Sequence, residues 1–321
     1  MLSETTIKNQ LKYTLYKTNF KIGRKYEGKV RDNYTLDGKR VIITTDRISA
    51  FDRVLCTIPF KGQVLNQTSA FWFDKTKNIV KNHVIDVPDP NVMTVRECKP
   101  YPVEMVVRGY ITGVTTTSAW YNYEKGIRNF CGNVLPDGLV KNQKFKKPII
   151  TPSTKAEHGL HDESISRDEI IKRKLVDEKT YKKMEKAALE LFDFGTKLVA
   201  KNNLILVDTK YEFGSLNGKL VLIDEIHTPD SSRFWIKDTY DKLFSKGQEP
   251  QKLDKEYVRQ WLAARGFIGE GTIPKIPDEV KVEAAKRYIQ AYEMITGKNF
   301  DAKSGDVLKR IERNLDSAKI L

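Results

Sequence analysis

Residues 204–226 contain two runs with the alternating pattern of β-strands, LILVDTKYEFG and KLVLIDEI, joined by Leu-Asn-Gly at 216–218. Asn-Gly between two such runs is a strong signal for an antiparallel hairpin. Every second side chain of a strand lies on the same face, so Asp208, Lys210 and Glu212 share one face of the first strand. The chain therefore has to build an antiparallel sheet that carries a carboxylate, an ammonium and a second carboxylate in a row.

The position of Asp224 relative to this charged face depends on the turn. A two-residue Asn-Gly turn places Asp224 opposite Tyr211, on the other face of the sheet. A three-residue loop with Gly218 in the left-handed conformation instead pairs Lys210 with Asp224, and Glu212 then lies about 7–8 Å from Asp224 along a diagonal. We predict the three-residue loop, in which Glu212 and Asp224 can share a divalent cation. A solvated strand face with a ladder of salt bridges is the alternative.

The first part of the chain adds helices and short strands to this hairpin. Residues 4–17 and 63–80 have helical periodicity, and the segments 20–45 and 82–113 predict short strands. The dipeptide Asp37-Gly38 lies between two of them and indicates another hairpin. The first 110 residues or so thus predict an antiparallel α+β domain.

The second part of the chain is predicted to contain helices on both sides of the hairpin 204–226, after a long polar stretch, and its last 70 residues are predicted to be mainly helical. Residues 138–165 show little periodicity, and a structureless segment of that length is usually functional or disordered. A capping box begins a helix at Ser166. Further helices are predicted over 118–125, 178–202, 254–265, 278–296 and about 304–317.

Composition and charge exclude several classes of protein. The chain has 321 residues, 40% of them hydrophobic, which excludes a disordered acidic chain, a collagen and a membrane-embedded bundle. Its 56 Lys+Arg exceed 42 Asp+Glu, for a net charge of +14, but the basic runs at 144–147 and 172–174 are short. Neither a nucleic-acid surface nor a membrane surface is therefore predicted. Three cysteines without a C-x-x-C pair and an N-terminus without an export signal predict a cytoplasmic protein.

Two segments have the composition of phosphate sites. Gly28 precedes Lys29 and Arg31 at a strand turn, so the backbone can approach a phosphate that two cations neutralise. Arg108 ends an apolar strand before GYITGVTTTSAW, whose amides and hydroxyls suit a phosphate monoester, and Arg233 lies in a similar hydroxyl-rich turn. Exposed turns and paired arginines are the alternatives. The sequence has no G-x-x-x-x-G-K-[ST], which excludes a P-loop.

The segment TPSTKAEHGLHD, at 151–162, collects Lys155, His158, His161 and Asp162. The two histidines have no third soft ligand at a suitable spacing, so a zinc site is not predicted. No local signature supports a Ser-His-Asp or Cys-His nucleophile.

Seven ordered motifs resemble those of one enzyme family. They are GKVRD, TDRISAFD, IPFKGQVLNQTSAFWF, VEMVVRGYITG, TPSTKAEHGLHDESIS, LILVDTKYEFG and LIDEIHTPDSSRFW. From about residue 20 to 235 the chain resembles the phosphoribosylaminoimidazole-succinocarboxamide synthase (SAICAR synthetase) family. The resemblance implies an ATP-grasp-like, two-lobed α+β fold. A small antiparallel nucleotide-binding lobe would occupy 1–110, and a larger α/β lobe with the C-terminal helices would occupy 111–321.

The resemblance implies an ATP- and magnesium-dependent ligase of purine biosynthesis. Such an enzyme joins the carboxylate of carboxyaminoimidazole ribonucleotide (CAIR) to the amine of L-aspartate and releases SAICAR, ADP and phosphate. Phosphorylation makes the carboxylate a good acyl donor, which requires charge neutralisation more than a protein nucleophile. The three substrates are all anions, so cations that line the cleft would offset their mutual repulsion and would account for part of the positive charge. A small-molecule kinase on the same scaffold is the alternative, and a basic nucleic-acid-binding protein is a weaker one.

The resemblance also implies roles for individual residues. They are Gly28, Lys29, Arg31 and Glu104 for the nucleotide; Arg108, Ser118 and Arg233 for the ribotide phosphate; Glu212 and Asp224 for magnesium; and Lys155, Asp162 and Lys210 for the chemical step. Many relatives have serine where this chain has Val114, so the hydroxyl contact to the phosphate falls to residues 115–118. Residues 138–165 are expected to act as a lid that excludes water. A length similar to that of single-chain relatives is consistent with a monomer.

Overall fold

A computed structural model describes residues 2–51, 53–155, 163–253 and 256–321. The helices are α1 (Glu4–Gln10), α2 (Lys61–Thr76), α3 (Ala119–Glu124), α4 (Arg167–Lys172), α5 (Glu178–Val199), α6 (Lys237–Ser245), α7 (Glu256–Ala263), α8 (Asp278–Thr296) and α9 (Val307–Ser317). The strands are β1 (Arg24–Glu27), β2 (Arg31–Leu36), β3 (Lys39–Thr44), β4 (Arg47–Ala50), β5 (Arg53–Thr57), β6 (Val84–Asp89), β7 (Val92–Arg96), β8 (Lys99–Tyr110), β9 (Asn129–Phe130), β10 (Asn133–Val134), β11 (Lys144–Ile150), β12 (Ser153–Thr154), β13 (Leu204–Leu216), β14 (Lys219–Ile223) and β15 (Ser232–Ile236).

The first sheet is a five-stranded antiparallel sheet with the order β1-β2-β3-β7-β6. The predicted hairpin at Asp37-Gly38 is confirmed, because Leu36 pairs with Lys39 across it. Side chains from this sheet, such as Tyr34 and Ile43, form a buried cluster with apolar residues of α9. The sheet thus packs against the last helix of the described chain.

The second sheet positions most of the charged residues that the sequence singled out. Its central strands are the long, antiparallel β8 and β13, flanked by β11, β14, β12 and β15. Helix α5 covers one face with an apolar stripe that includes Met184 and Leu191, as its amphipathic pattern predicts. The opposite face is polar and carries Asp208, Lys210 and Glu212.

Several predicted elements differ from the observed ones. The helix predicted over 4–17 ends at Gln10 and continues only as a 3₁₀ turn to Tyr13, and the helix predicted over 63–80 runs from Lys61 to Thr76. The stretch 138–165 is not structureless, since β11 and β12 pair with β8 along much of it. The expectation that this stretch acts as a lid falls partly on 156–162, which lie outside the described residues.

The division of the chain into 1–110 and 111–321 stays a prediction. Strand β8, which ends at Tyr110, belongs to the second sheet. Helix α8 packs on α2, and α9 packs on the first sheet. Among the described residues, no helix is both long and apolar enough to cross a membrane.

Candidate active site

A β-bulge in β13 decides which side chains face the polar side of the second sheet. The bulge lies between Leu206 and Asp208, in the pairing of β13 with β15. Before it, Leu206 packs into the core beneath α5, whereas after it Tyr211 and Phe213 do so. The alternation therefore shifts by one residue, and Asp208, Lys210 and Glu212 share the opposite face.

Lys210 joins the carboxylates of two neighbouring strands. Its Nζ lies 2.6 Å from Glu104 Oε1 and 2.8 Å from Glu212 Oε1, and Glu104 stands directly opposite Glu212 in the β8–β13 register. Lys155, just after β12, forms a further ion pair with Glu212. We call Glu104, Glu212, Asp224 and Glu225 the carboxylate cluster.

The hairpin register differs from the prediction. Leu216 pairs with Lys219 across a two-residue turn, with both Asn217 and Gly218 at positive φ, so the three-residue loop was wrong. Asn-Gly favours this turn because its twist matches that of the strands. Ile223 then stands opposite Glu212, and Asp224 follows the strand end with φ +65°. This left-handed residue turns out of the strand, and its carboxylate still comes close enough to Glu212 for their charges to interact.

The turn between β1 and β2 leans over this cluster. The amide of Gly28 donates to the carbonyl of Arg31 at 2.8 Å, which closes the turn, and Lys29 is exposed at its tip. Arg31 Nη1 lies 2.6 Å from Asp224 Oδ1, and its Nη2 lies 2.6 Å from Glu225 Oε2. Of the predicted nucleotide residues, Arg31 therefore contacts the predicted metal ligand Asp224, and Gly28 and Lys29 lie in the same turn.

A buried arginine that the sequence analysis left without a role shapes this turn. Arg47 donates to the carbonyls of Gly28 at 2.9 Å and Lys29 at 3.0 Å, and to that of Tyr16. It also pairs with the buried carboxylate of Asp32 at 2.8 Å. Arg47 lies in the TDRISAFD motif. A charged residue within an otherwise strand-like segment was the signal that could have marked Arg47 as a buried, paired arginine.

Burial and neighbouring charges shift the pKa values of Asp224 and Glu212 in opposite directions. Burial raises the pKa of Asp224 to about 6, with a further contribution from the charge of Glu212, although Arg31 opposes both. Burial would also raise the pKa of Glu212, but the ammonium groups of Lys210 and Lys155 outweigh it and hold that pKa well below its usual range. Glu212 therefore stays ionised at neutral pH.

Two arginines from different strands meet at one carboxylate. Arg108 Nη1 lies 3.2 Å and Arg233 Nη1 lies 2.6 Å from Asp208 Oδ2. Arg108 also donates to Thr151 Oγ1 and to the carbonyl of Thr117, both at 2.8 Å. The predicted phosphate residues Arg108 and Arg233, here called the arginine pair, are thus brought together.

Ser118 lies beside this pair at the start of α3. Its hydroxyl hydrogen bonds to that of Thr115 at 2.8 Å and accepts from the Thr115 amide at 3.3 Å. Gly113, at φ +95°, lies so close that a Cβ there would be 2.4 Å from Ser118 Oγ and 3.2 Å from Arg233 Nη1. Close approach of the backbone to the arginine pair thus requires glycine at 113, whereas Val114 points into solvent.

A cavity of about 300 Å³ lies between the arginine pair and the side chains of Glu104 and Lys210. Its charged lining side chains are Glu104, Arg108, Asp208, Lys210, Asp230, Arg233 and Arg259. Asp230 and Arg259 had no assigned role in the sequence analysis, although Asp230 lies in the LIDEIHTPDSSRFW motif. Asp162 lies outside the described residues. Within the described ranges, no three His, Cys, Asp or Glu side chains group closely enough to hold a metal by themselves.

Comparison with known proteins gives consistent results over most of the chain. The family model for SAICAR synthetase matches residues 24–272. The phosphoribosylaminoimidazole-succinocarboxamide synthase of Legionella pneumophila (strain Paris) is 48% identical over 307 residues, covering 94% of this chain and 98% of that protein. The chloroplastic enzyme of that name from Arabidopsis thaliana is 47% identical, covering 98% of this chain and 78% of that protein.

Solved structures with the same fold agree. The SAICAR synthase from Saccharomyces cerevisiae complexed with SAICAR aligns with a TM-score of 0.79 and 33% identity, covering 90% of this chain and all of that one. A SAICAR synthetase in complex with ADP aligns with a TM-score of 0.65 and 27% identity, covering 87% of this chain and all of that one. The predicted α+β, ATP-grasp-like fold class is confirmed. The chain belongs to the SAICAR synthetase family and is an enzyme of purine biosynthesis.

Proposed function

We propose that this enzyme joins the carboxylate of CAIR to the amine of L-aspartate, with ATP and Mg²⁺, and releases SAICAR, ADP and phosphate. The observation that carries the proposal is the position of Lys210. Its ammonium group lines the cavity that holds the arginine pair and also binds Glu104 and Glu212 of the carboxylate cluster. Lys210 thus links the proposed phosphate-binding residues to the proposed metal-binding residues, which supports phosphoryl transfer to a bound ribotide.

The arginine pair would hold the ribotide phosphate. Guanidinium groups bind phosphate oxygens with paired, charge-assisted hydrogen bonds. In the protein alone, Asp208 keeps Arg108 and Arg233 converging on the cavity. Ser118, next to Arg233, would supply the hydroxyl contact, either itself or through Thr115.

The carboxylate cluster fits magnesium because its donors are hard oxygens. Mg²⁺ is commonly held by one or two carboxylates together with substrate phosphates, so Glu212 and Asp224 form a sufficient protein share. Bound there, the metal would neutralise charge on the phosphoryl group in transfer. Gly28, Lys29 and Arg31 would contact the ATP phosphates from the β1–β2 turn, and Glu104 would contact the nucleotide.

The chemical step then needs positive charge more than a nucleophile. The CAIR carboxylate attacks the γ-phosphorus, ADP leaves, and the aspartate amine displaces phosphate from the acyl phosphate, with loss of a proton. Lys210 and Lys155, which both pair with Glu212, would stabilise negative charge on the transferring group. We keep Asp162 as the proposed residue near the aspartate amine.

The test is a coupled assay of ADP formation in which each substrate is omitted in turn. We expect ADP only when ATP, Mg²⁺, CAIR and L-aspartate are all present, with SAICAR formed in equal amount. ADP formation that needs CAIR but not aspartate would instead identify a carboxylate kinase. ADP formation without CAIR would overturn the proposed use of the cavity.

We propose a cytoplasmic monomer, with no nucleic acid or membrane as a partner. The relative from Arabidopsis thaliana is named chloroplastic, so location is not uniform among these enzymes. Gel filtration with light scattering would test the monomer, for which 37.0 kDa is expected.

A further inference from the structure

The β1–β2 turn, residues 28–31, is held open by a buried side chain. In a closed two-residue turn the first and last residues exchange two hydrogen bonds, so the carbonyl of Gly28 would accept from the amide of Arg31. Within the described turn only the reverse bond forms, from the Gly28 amide to the Arg31 carbonyl at 2.8 Å. The Gly28 carbonyl accepts instead from Arg47 Nη2 at 2.9 Å. Arg47 thus takes the acceptor that the Arg31 amide would otherwise use.

The next two carbonyls of the turn are bound by the same segment of the chain. Lys29 accepts from Arg47 Nε at 3.0 Å, and Val30 accepts from the amide and the hydroxyl of Thr45 at 3.0 and 2.9 Å. In a trans peptide the carbonyl and the following amide point in opposite directions, and these peptides are trans. The amides of Val30 and Arg31 therefore point away from Arg47 and Thr45.

A buried carboxylate and the N-terminal segment fix the guanidinium of Arg47. Its Nη2 lies 2.8 Å from Asp32 Oδ1, and both side chains are buried. The other oxygen of Asp32 accepts from the amide and the hydroxyl of Thr18, at 2.7 and 2.9 Å. Arg47 also donates to the carbonyl of Tyr16. A rigid, planar guanidinium with this many fixed partners has one orientation, so the turn that it binds is also fixed.

Backbone amides that point away from the protein interior suit an anion such as a phosphate. Successive backbone N–H groups bind anions in many phosphate sites. The side chain of Arg31 is already paired with Asp224 and Glu225, so a phosphate would have to compete with two carboxylates for its guanidinium. The amides of Val30 and Arg31 bind a phosphate without breaking that pairing.

We propose that Arg47 and Thr45 are positioning residues that hold the β1–β2 turn open, so that the amides of Val30 and Arg31 bind the phosphates of ATP. The inference rests on the proposed function, which has the ATP phosphates contact this turn. It gives the TDRISAFD motif a part in nucleotide binding. It also links Tyr16 and Thr18, which precede the stretch matched by the family model, to the same site.

The test compares ATP with adenosine, by calorimetric titration of the full protein with Mg²⁺ and without CAIR or aspartate. Adenosine has no phosphates, so only ATP binding reports on the amides of the turn. Arg47→Lys keeps a positive charge beside Asp32, but a single ammonium group cannot replace both Nη2 and Nε on two carbonyls. We expect this variant to bind ATP about tenfold more weakly than the wild type, as the loss of a hydrogen bond to a charged group predicts, and adenosine equally well.

Thr45→Val is a second, milder variant, because it removes the hydroxyl bond to Val30 and keeps the bond from the amide. We expect about threefold weaker ATP binding and unchanged adenosine binding. This variant decides the test if Arg47→Lys does not fold. The matched control is Arg53→Lys, since Arg53 of β5 also donates to loop carbonyls, those of Gly269 and Gly271, and does not line the described cavity. It should bind ATP as the wild type does.

The outcomes separate this inference from the proposed function. A wild-type preference for ATP over adenosine that the deciding variant retains in full overturns this inference alone. Equal weakening of both compounds together with a lower melting temperature would indicate a purely structural role and would also overturn it. A wild type that binds no ATP would overturn the proposed function itself.

Discussion

Glu212 is the residue on which the two halves of the site depend. Its carboxylate accepts from Lys210 and Lys155, faces Glu104 across the strands, and contributes to the raised pKa of Asp224. Because the two ammonium groups hold its pKa well below the usual range, Glu212 stays ionised around neutral pH. A metal ion bound here would compete with the lysines for the same oxygens.

Glu212→Gln keeps the shape of the side chain and removes its charge. We expect Mg²⁺ binding in the presence of ADP, measured by calorimetry, and the rate of SAICAR formation each to fall more than about tenfold, or ~1.4 kcal/mol. Glu190→Gln, on the exposed side of α5, should behave as the wild type. A smaller loss in Glu212→Gln would mean that this residue is not a metal ligand.

The sequence predicted which residues form the candidate site better than it predicted how they are arranged in space. Alternation along LILVDTKYEFG places Lys210 and Glu212 on one face, and the structure agrees. The approach of Asp224 does not come from the predicted register but from its left-handed backbone beyond the strand, which no periodic pattern reports. Asp208, shared by the arginine pair, was visible in the pattern, but its arginine partners are 100 and 25 residues away and only the fold reveals them.

At the scale of elements, His227 fills the space between α5, α2 and β13. Its Nε2 lies 2.6 Å from the Tyr211 hydroxyl, and its ring meets Trp72 edge-on at 4.6 Å. A Cβ at Gly195 of α5 would lie 2.4 Å from the same ring, so the helix approaches this closely because residue 195 is glycine. Burial lowers the pKa of His227 to about 3.

This burial makes the packing of these elements sensitive to acid. In an unfolded chain a histidine has a pKa of about 6.5, so between about pH 6.5 and 3 the unfolded state binds more protons and acidification lowers stability. We expect His227 to contribute a loss of about 2 kcal/mol between pH 6.5 and 5. His227→Gln should therefore show a shallower fall of unfolding free energy over that range, measured by denaturant titration.

Other groups also titrate between pH 6.5 and 5, but they are present in both the wild type and the His227→Gln variant. Burial raises the pKa of Asp46 to about 6, which stabilises the fold as the pH falls and so acts in the opposite direction. Lys186→Gln, on the exposed face of α5, is the control and should keep the wild-type slope. Identical slopes for His227→Gln and the wild type would show that His227 is not neutral and buried in the folded state.

Elements with strong periodicity were predicted well, and those without it were not. The helix predicted over 278–296 is confirmed at both ends, because acidic residues begin it and Gly297 ends it in the left-handed conformation. Strand β11 was missed in the polar stretch 138–165, since it lies at the edge of its sheet with most side chains exposed. An edge strand needs no apolar face, so its sequence shows little alternation.

At the scale of the whole molecule, helix α9, near the end of the described chain, is bound to the first sheet by buried polar contacts. Arg310 of α9 binds the fully buried carboxylate of Asp89 with two bonds, at 2.9 and 3.2 Å, and also donates to Asn91 at 2.5 Å. Asn314 donates to Asp89 at 2.7 Å. Sequence patterns could not predict this arrangement, because its partners are more than 200 residues apart and each also suits an exposed surface.

Arg310→Ala should loosen α9 from the sheet. Removing one partner of a buried ion pair leaves the other charge uncompensated, so we expect a loss of about 3–5 kcal/mol in unfolding free energy. Arg313→Ala, on the exposed side of α9, should change it by no more than about 0.5 kcal/mol. Urea unfolding of both variants makes the comparison, and a loss below about 1 kcal/mol in Arg310→Ala would contradict a buried anchor.

The packing of α9 on the first sheet also sets an order for synthesis. Leu315 and Ile311 of α9 fill the same core as Tyr34 and Val41, so the strands made earlier have no finished core until α9 leaves the ribosome. At translation rates of 5–20 residues per second, that interval is on the order of 15–60 s. During that time the apolar side of β2 and β3 lacks the side chains of α9 that cover it, so this sheet completes its core late.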